Sequence, residues 1–227
     1  MANKKKLDPA KFAPQPGGRR IGFRPLRLYY LIVCEGEKTE PNYFEGLKKK
    51  LPPGMMESTR IDIEGKGYNT LSLVKKAKEK KDELEKNSLR RIDKLWVVFD
   101  RDSFKPQDFN AAVAACKSEK GMDAAWSHEA FELWYLLHFA YYDTAISRKQ
   151  YQEKLGAYVQ VHIDKDFKYQ KNHIGMYDLL ESRKDIAIKH AKRLRKIHAG
   201  ANYADHGPCT TVYELIEELR DLAKEYT

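Results

Sequence analysis

Five acidic residues follow two apolar segments of the sequence. Glu35, Glu37 and Glu40 come after the segment LYYLIVC, and Asp100 and Asp102 come after LWVVF. Carboxylate oxygens without nearby histidine or cysteine suit a hard cation, Mg²⁺ or Mn²⁺, which usually acts on phosphate groups. Two such ions, or one ion and a carboxylate base, activate water and hold the leaving oxygen of a phosphodiester. The residues therefore predict hydrolysis or transfer at phosphorus.

Both apolar segments have the composition of central strands in a parallel sheet, because branched and aromatic residues occupy both of their faces. In such sheets, ligands bind where the carboxyl ends of the strands meet. Asp100 and Asp102 lie two residues apart, so their side chains point the same way if the strand continues. We expect Glu35 to face them across this edge.

Helical and strand patterns alternate from residue 26 to about residue 140, which predicts an α/β fold with a mostly parallel sheet flanked by helices. Thr39 is the expected N-cap of the first helix. The remaining predicted elements are strands in STRIDIEG and MDAAWS, a helix beginning at Asn69 or Thr70, a helix in PQDFNAAVAACKSEKG closed by Gly121, and a buried helix in AFELWYLLHF.

The sequence after residue 140 has only helical signals and predicts a helical C-terminal segment. We divide the chain into a basic flexible tail (1–25), an α/β domain (26–140) and a helical C-terminal region (141–227). Its expected elements are a helix in SRKQYQEKLG, a mixed stretch AYVQVHIDKDFKYQKN, a basic helix from about Met176 to His198, and a last helix from Cys209 or Thr210 to Lys224.

Composition restricts the class of protein. The 227 residues are 42% hydrophobic, which is enough for a folded core. No window reaches the ~18 uninterrupted apolar residues of a membrane helix, and the N-terminus lacks the apolar part of a secretory signal, so we expect a cytoplasmic protein without membrane contact. Three widely spaced cysteines predict reduced, buried thiols. The first 27 residues contribute +7 of the net charge of +9, so the basic balance mostly describes the tail.

Further candidate residues lie outside the two acidic groups. Glu132 is the single acid of AFELWYLLHF, and so apolar a setting requires a partner, either a metal ion or a basic side chain. His138, on the same helix, is expected to be a hydrogen-bonded core residue, whereas the role of His128 stays open. Basic and polar residues that fit phosphate contacts are Lys66, Lys171, Asn172, Lys189, Lys192, Arg193 and Lys196.

Structural interpretations of the same residues also stay open. The three glutamates favour a helix N-terminus through its dipole, and paired aspartates often make turn contacts. This interpretation applies best to Glu37, which we expect in an exposed turn. The basic residues near the C-terminus equally fit a solvated helix face.

The motifs CEGEKTE and FDRD, each after an apolar strand, resemble the Toprim domain of primases, topoisomerases and overcoming-lysogenization-defect nucleases. More closely, IVCEGEKTEPNYFEGL, GKGYNTLSLV, VVFDRDSF, FELWYLLHF and CTTVYELIEEL together resemble the RloB-like family, which is found beside restriction systems and is associated with anti-phage defence and abortive infection. The resemblance implies that Glu35 is a metal ligand or general acid/base, that Asp100 and Asp102 bind Mg²⁺, and that Glu40 is a further ligand.

The resulting expectation is a Mg²⁺-dependent (or Mn²⁺-dependent) Toprim-type endonuclease that cuts RNA, including tRNA, or DNA in bacterial anti-phage defence. Its catalytic residues would be Glu35, Asp100 and Asp102, and its metal ligands Glu35, Glu40, Asp100, Asp102 and Glu132. The alternative is a non-catalytic nucleic-acid-binding or sensor subunit that keeps the fold and acts with a defence-system partner protein. The oligomeric state and the number of metal ions stay open.

Overall fold

The computed structural model describes residues 27–63, 70–102 and 105–226. Its strands are β1 (Tyr30–Cys34), β2 (Thr59–Ile63), β3 (Lys94–Arg101) and β4 (Met122–His128). Its helices are α1 (Thr39–Lys49), α2 (Pro53–Ser58), α3 (Thr70–Ser88), α4 (Pro106–Lys117), α5 (Glu132–Leu137), α6 (Arg148–His162), α7 (Met176–Leu180), α8 (Lys184–Ile197) and α9 (Val212–Lys224). Short 3₁₀ turns cover Glu181–Arg183 and Tyr203–Asp205.

The four strands form one parallel sheet in the order β2-β1-β3-β4. The predicted α/β fold with a helical C-terminal segment is therefore confirmed. The last residue of β1, Cys34, lies opposite Val98, so β3 continues beyond the end of β1. This offset places the residues that follow β1 beside Asp100.

Side chains alternate between two apolar layers along the central strands, as the two-residue period of a strand requires. Ile32 and Val98 face a layer that also contains side chains of α1 and of the helices from α5 to α9. Leu31 and Val97 face the layer formed with α3 and α4. Each buried large side chain contributes about 1.5–3 kcal/mol, so the C-terminal helices stabilise the same core that supports the sheet.

The chain before α9 covers the outer edge of β4. Thr210 forms an isolated antiparallel bridge with Ser127, and the amide of His128 donates to the carbonyl of Cys209 at 2.9 Å. Because an unpaired strand edge invites pairing with another chain, this cover protects β4. It also explains why α9 begins at Val212 rather than at Cys209 or Thr210.

Two more local predictions are wrong. Thr39 is not an N-cap: Lys38 precedes the helix, and the Thr39 hydroxyl instead donates to the carbonyl of Lys171 at 2.8 Å. The basic helix predicted from Met176 to His198 is interrupted by the 3₁₀ turn at 181–183. Within α8, Ile188 is buried and faces the core, whereas Ile186 is 43% exposed.

One helix is longer than its prediction. The helix expected in SRKQYQEKLG continues to His162 and so includes part of the mixed stretch. Ser147 and Gln150 form a capping box at its start, which fixes the first turn of α6. In the described residues, no helix is both long and apolar enough to cross a lipid bilayer.

Candidate functional site

The acidic residues after β1 and within β3 meet at the carboxyl edge of the sheet. The Glu35 amide donates to the Val98 carbonyl at 2.9 Å, which extends the β1–β3 pairing by one bond. The Glu35 side chain then turns towards β3, where its Oε2 accepts a hydrogen bond from the Asp100 amide at 3.2 Å. The predicted approach of Glu35 to Asp100 is confirmed.

Asp100 lies in the centre of the carboxylates. Its side chain is 14% exposed, and its Oδ2 is 3.3 Å from Nη2 of Arg148. The other oxygen, Oδ1, is buried without a hydrogen-bond partner. Burial, and next the negative charge of Glu40, raise the pKa of Asp100 well above its ordinary value, whereas Arg148 opposes the shift. A buried acceptor without a partner is uncommon and needs an explanation.

Arg148, the first residue of α6, is the cation that the structure places among the acids. Its Nη2 lies 3.6 Å from Oδ2 of Asp102 and donates to the carbonyl of Glu129 at 2.9 Å. Glu129 has a φ of +59°, a left-handed conformation that is unfavourable for a residue with a side chain. Arg148 thus balances both aspartates and holds the strained turn after β4.

Glu40 reaches the site from the first turn of α1. Its side chain is buried, and a Cβ at Gly36 would overlap the Glu40 carboxylate. Glycine at position 36 therefore creates the space in which this carboxylate approaches the end of β1. Burial first, and then the charge of Glu132, raise the pKa of Glu40, while Lys171 and Arg148 act in the opposite direction.

Glu35 has the pKa of a group that exchanges protons near neutrality. Burial is the largest cause, and the charges of Asp102 and Glu40 add to it, so that the pKa rises to about 7. The hydrogen bond from the Asp100 amide opposes the shift. Perturbed carboxyl groups of this kind are concentrated at functional sites.

Glu132, in the first turn of α5, is buried with two neutral donors. Its Oε1 accepts hydrogen bonds from the Tyr169 hydroxyl and from Nε2 of Gln152, both at 2.9 Å. We expected either a metal ion or a basic partner, and the structure provides a tyrosine and an amide. Its charge still contributes to the raised pKa values of Glu40 and Asp100, so Glu132 belongs electrostatically to the cluster.

The segment between α6 and α7 lies against the start of α1. Besides the Thr39 hydroxyl, which donates to the Lys171 carbonyl, Nδ2 of Asn42 donates to the Asn172 carbonyl at 3.1 Å. Lys171 and Asn172 are exposed. Two of the residues predicted to contact nucleic acid therefore lie beside the acidic cluster.

The remaining predicted nucleic-acid residues lie elsewhere. Lys66 is outside the described residues. On α8, Lys189, Lys192, Arg193 and Lys196 are all exposed. Lys192 is paired with Glu217 of α9 at 2.7 Å, and Arg193 lies over a tyrosine ring, so two of the four are engaged within the protein.

The two histidines near the site have structural surroundings. His138 is fully buried with Nδ1 2.9 Å from the Trp134 carbonyl, which confirms it as a hydrogen-bonded core residue. Nε2 of His128 lies 3.0 Å from the Tyr203 carbonyl, and burial lowers the pKa of His128 to about 4. His128 is therefore neutral at physiological pH and packs beneath the C-terminal cover.

The donor set fits a hard cation. The possible ligands are carboxylates, and a positive charge among them offsets their mutual repulsion. One buried oxygen of Asp100 lacks a hydrogen-bond partner. Among the described residues, no three histidine, cysteine, aspartate or glutamate side chains are arranged as ligands of one ion. In the described arrangement, Arg148 supplies the balancing charge.

Sequence reasoning missed Arg148, Gln152 and the Tyr169 hydroxyl as neighbours of the acids. The available signal was Ser147 followed by a basic residue at a helix start, because a cap fixes the direction in which the next side chains point. Their contacts with the acids span between 20 and 48 residues by residue number, which no local pattern reveals.

A model of the RloB-like protein family matches residues 30–219. No curated protein and no solved structure matches the chain. The matched range includes all four strands and every residue of the acidic cluster described above. The chain therefore belongs to the RloB-like family.

Proposed function

We propose that the protein is a Mg²⁺-dependent or Mn²⁺-dependent Toprim-type endonuclease that hydrolyses phosphodiester bonds of RNA or DNA in bacterial anti-phage defence. One observation carries the proposal: Glu35, Glu40 and Asp100 converge at the carboxyl edge of a parallel sheet, and Oδ1 of Asp100 is buried without a partner. This edge is where open parallel sheets bind their ligands.

The residues that would hold the cation are Asp100, Asp102, Glu35 and Glu40, with Glu132 behind them. A bound hard cation would supply a nucleophilic water at neutral pH and stabilise charge on the phosphate oxygens. Because Arg148 contacts both aspartates, it must release Asp100 when a cation takes its place. Its guanidinium is then able to bind a substrate phosphate in a two-point contact.

Glu35 is the group suited to proton transfer. With a pKa of about 7, it accepts and releases a proton at physiological pH, which is the condition for a general acid or base. The bond from the Asp100 amide to its Oε2 keeps the carboxyl group oriented towards β3. Asp100 and Asp102 lie beside it, where both contact Arg148.

Exposed Lys171 and Asn172 beside the site support a nucleic-acid substrate. Such contacts position a strand through its phosphates without reading its sequence. RNA, including structured RNA such as tRNA, fits at least as well as DNA, since cutting RNA is an effective way to inactivate an infected cell.

One observation favours the second candidate, a non-catalytic nucleic-acid-binding or sensor subunit that acts with a partner protein. Arg148 already neutralises Asp100 and Asp102 without a metal, as a purely structural ion pair would. A single set of assays separates the two candidates.

The test is cleavage of labelled RNA and DNA by the full chain in Mg²⁺, Mn²⁺ or EDTA, with Asp100→Asn and the surface control Asp221→Asn. Asp221 is exposed on α9, so its variant removes one carboxylate at a distance from the site. We expect metal-dependent cleavage by the wild type and the control, and a loss of at least about 100-fold in Asp100→Asn. Binding without turnover under all conditions would instead establish the second candidate.

A further inference from the structure

Three partly exposed rings lie nearly parallel on the surface formed by α6 and the end of α5. The ring centroids of Phe139, Tyr158 and His162 are 5.7, 5.8 and 6.1 Å apart, and their planes differ by only 10° to 23°. Tyr158 and His162 are one helical turn apart, so α6 itself aligns them. Phe139, just after α5, completes the group.

Tyr141 and Tyr142 follow Phe139 closely in the chain, and a cation lies over Phe139 and over each of these two tyrosines. The guanidinium of Arg183 is 5.1 Å from the Phe139 ring centre. Nζ of Lys154 is 5.4 Å from the ring of Tyr142, and the guanidinium of Arg193 is 3.8 Å from the ring of Tyr141. We call the three parallel rings the aromatic platform: Phe139, Tyr158 and His162.

The platform differs from the aromatic core in both geometry and exposure. Core pairs are edge-on: the planes of Tyr43 and Phe44 meet at 82°, and those of Tyr43 and Trp134 at 84°. Tyr43, Phe44 and Trp134 are buried, whereas no ring of the platform is. Edge-on packing fills a volume, whereas a partly exposed stack of parallel rings can be extended by a further planar group.

The platform is also connected to the acidic cluster through α6. Arg148 begins this helix at the carboxylates, and Tyr158 follows ten residues later, about 15 Å along the helix axis at 1.5 Å per residue. A short stretch of an extended polymer would span this distance. The cations over the neighbouring rings favour an anionic polymer.

We infer that the aromatic platform binds unpaired nucleotides of a single-stranded nucleic acid. The bases stack on Phe139, Tyr158 and His162, and the neighbouring Arg183, Arg193 and Lys154 contact the phosphates. Stacking needs no particular base, because every base has a flat face. The inference rests on the proposed function, because it names single-stranded nucleic acid as the substrate of the proposed endonuclease.

The test is a binding measurement in EDTA, so that metal-dependent cleavage of the nucleic acid does not affect the result. Fluorescence anisotropy compares labelled single strands of RNA and DNA, about 12 nucleotides long, with the corresponding duplexes. We expect single strands to bind more tightly than duplexes, and Tyr158→Ala to weaken single-strand binding by at least about fivefold. Tyr158→Phe, which keeps the ring, should bind within about twofold of the wild type.

Val161 provides a matched control, since it is an apolar residue on the same helix that is 77% exposed. Val161→Ala removes exposed apolar surface without removing a ring and should bind as the wild type does. His162→Ala is a second platform variant at an exposed position, in case Tyr158→Ala does not fold. Comparison of the RNA and DNA strands shows whether the sugar matters.

Two results would overturn the inference: unchanged single-strand binding in both Tyr158→Ala and His162→Ala, or duplex binding as tight as single-strand binding. A protein partner at this surface would give the first result. Platform-dependent binding without cleavage in any metal would sustain this inference and refute the proposed endonuclease, so the two failures are distinguishable.

Discussion

Replacing Glu35 by glutamine should stabilise the metal-free protein at alkaline pH. The carboxyl group is held in a partly buried site beside Asp102 and Glu40, where its charge is unfavourable. Glutamine has nearly the same shape and keeps an oxygen that accepts the bond from the Asp100 amide. The substitution therefore removes the charge without removing the contact.

The magnitude follows from the pKa of Glu35, which rises from its ordinary value of 4.5 to about 7 in the folded protein. Below about pH 4.5 the group is protonated in both the folded and the unfolded state, so it does not affect stability. Between about pH 4.5 and 7 the unfolded state loses the proton first, and the folded state is progressively destabilised. Above about pH 7 the full difference, about 3 kcal/mol, is present.

The assay is urea or thermal unfolding of wild type and Glu35→Gln in EDTA between about pH 4 and pH 8. The two should coincide near pH 4, and the variant should be more stable by up to about 3 kcal/mol at pH 8, or roughly 6–12 °C in Tm. Glu37→Gln is the matched control, because Glu37 is exposed in the same turn; its effect should stay within about 0.5 kcal/mol. A Glu35→Gln protein that is less stable at pH 8, or a difference independent of pH, would refute the reasoning.

Two further predictions concern the cation balance and the space inside the cluster. Arg148→Gln should destabilise the metal-free protein by about 1–3 kcal/mol, because Asp100 and Asp102 lose their counter-charge. Added Mn²⁺ should restore stability more in the variant than in the wild type; equal restoration by Mn²⁺ would contradict this. Gly36→Ala should displace the Glu40 carboxylate while the fold is retained, because the added Cβ would overlap that carboxylate. We expect weaker Mn²⁺ binding by calorimetry. Unchanged affinity would show that Glu40 is not a ligand.

The pattern of strands and helices was readable because the apolar segments around Val33 and Val97 have branched residues on both faces, which only a parallel sheet covered on both sides accommodates. The parallel sheet in turn predicted that Glu35 approaches Asp100, since the residues that follow parallel strands meet at one edge of the sheet. The chemical roles of these residues remain predictions.

Long-range contacts were beyond the sequence. Arg148 meets Asp100 across 48 residues, and Tyr169 meets Glu132 across 37, because α6 and the segment after it fold back over the sheet. Thr39 illustrates the same limit, since its hydroxyl has the chemistry of a helix cap but is used by the distant Lys171 carbonyl. Local propensity gives way wherever a tertiary partner competes for the same group.

The measurement that most directly tests the central claim is an anomalous difference map from crystals soaked with Mn²⁺. The account predicts a peak about 2.1 Å from a carboxylate oxygen of Asp100, with Glu35 or Glu40 also in contact and Arg148 moved away from Asp100. A map without a peak at the carboxyl edge of the sheet, with Arg148 still paired to Asp100, would contradict it.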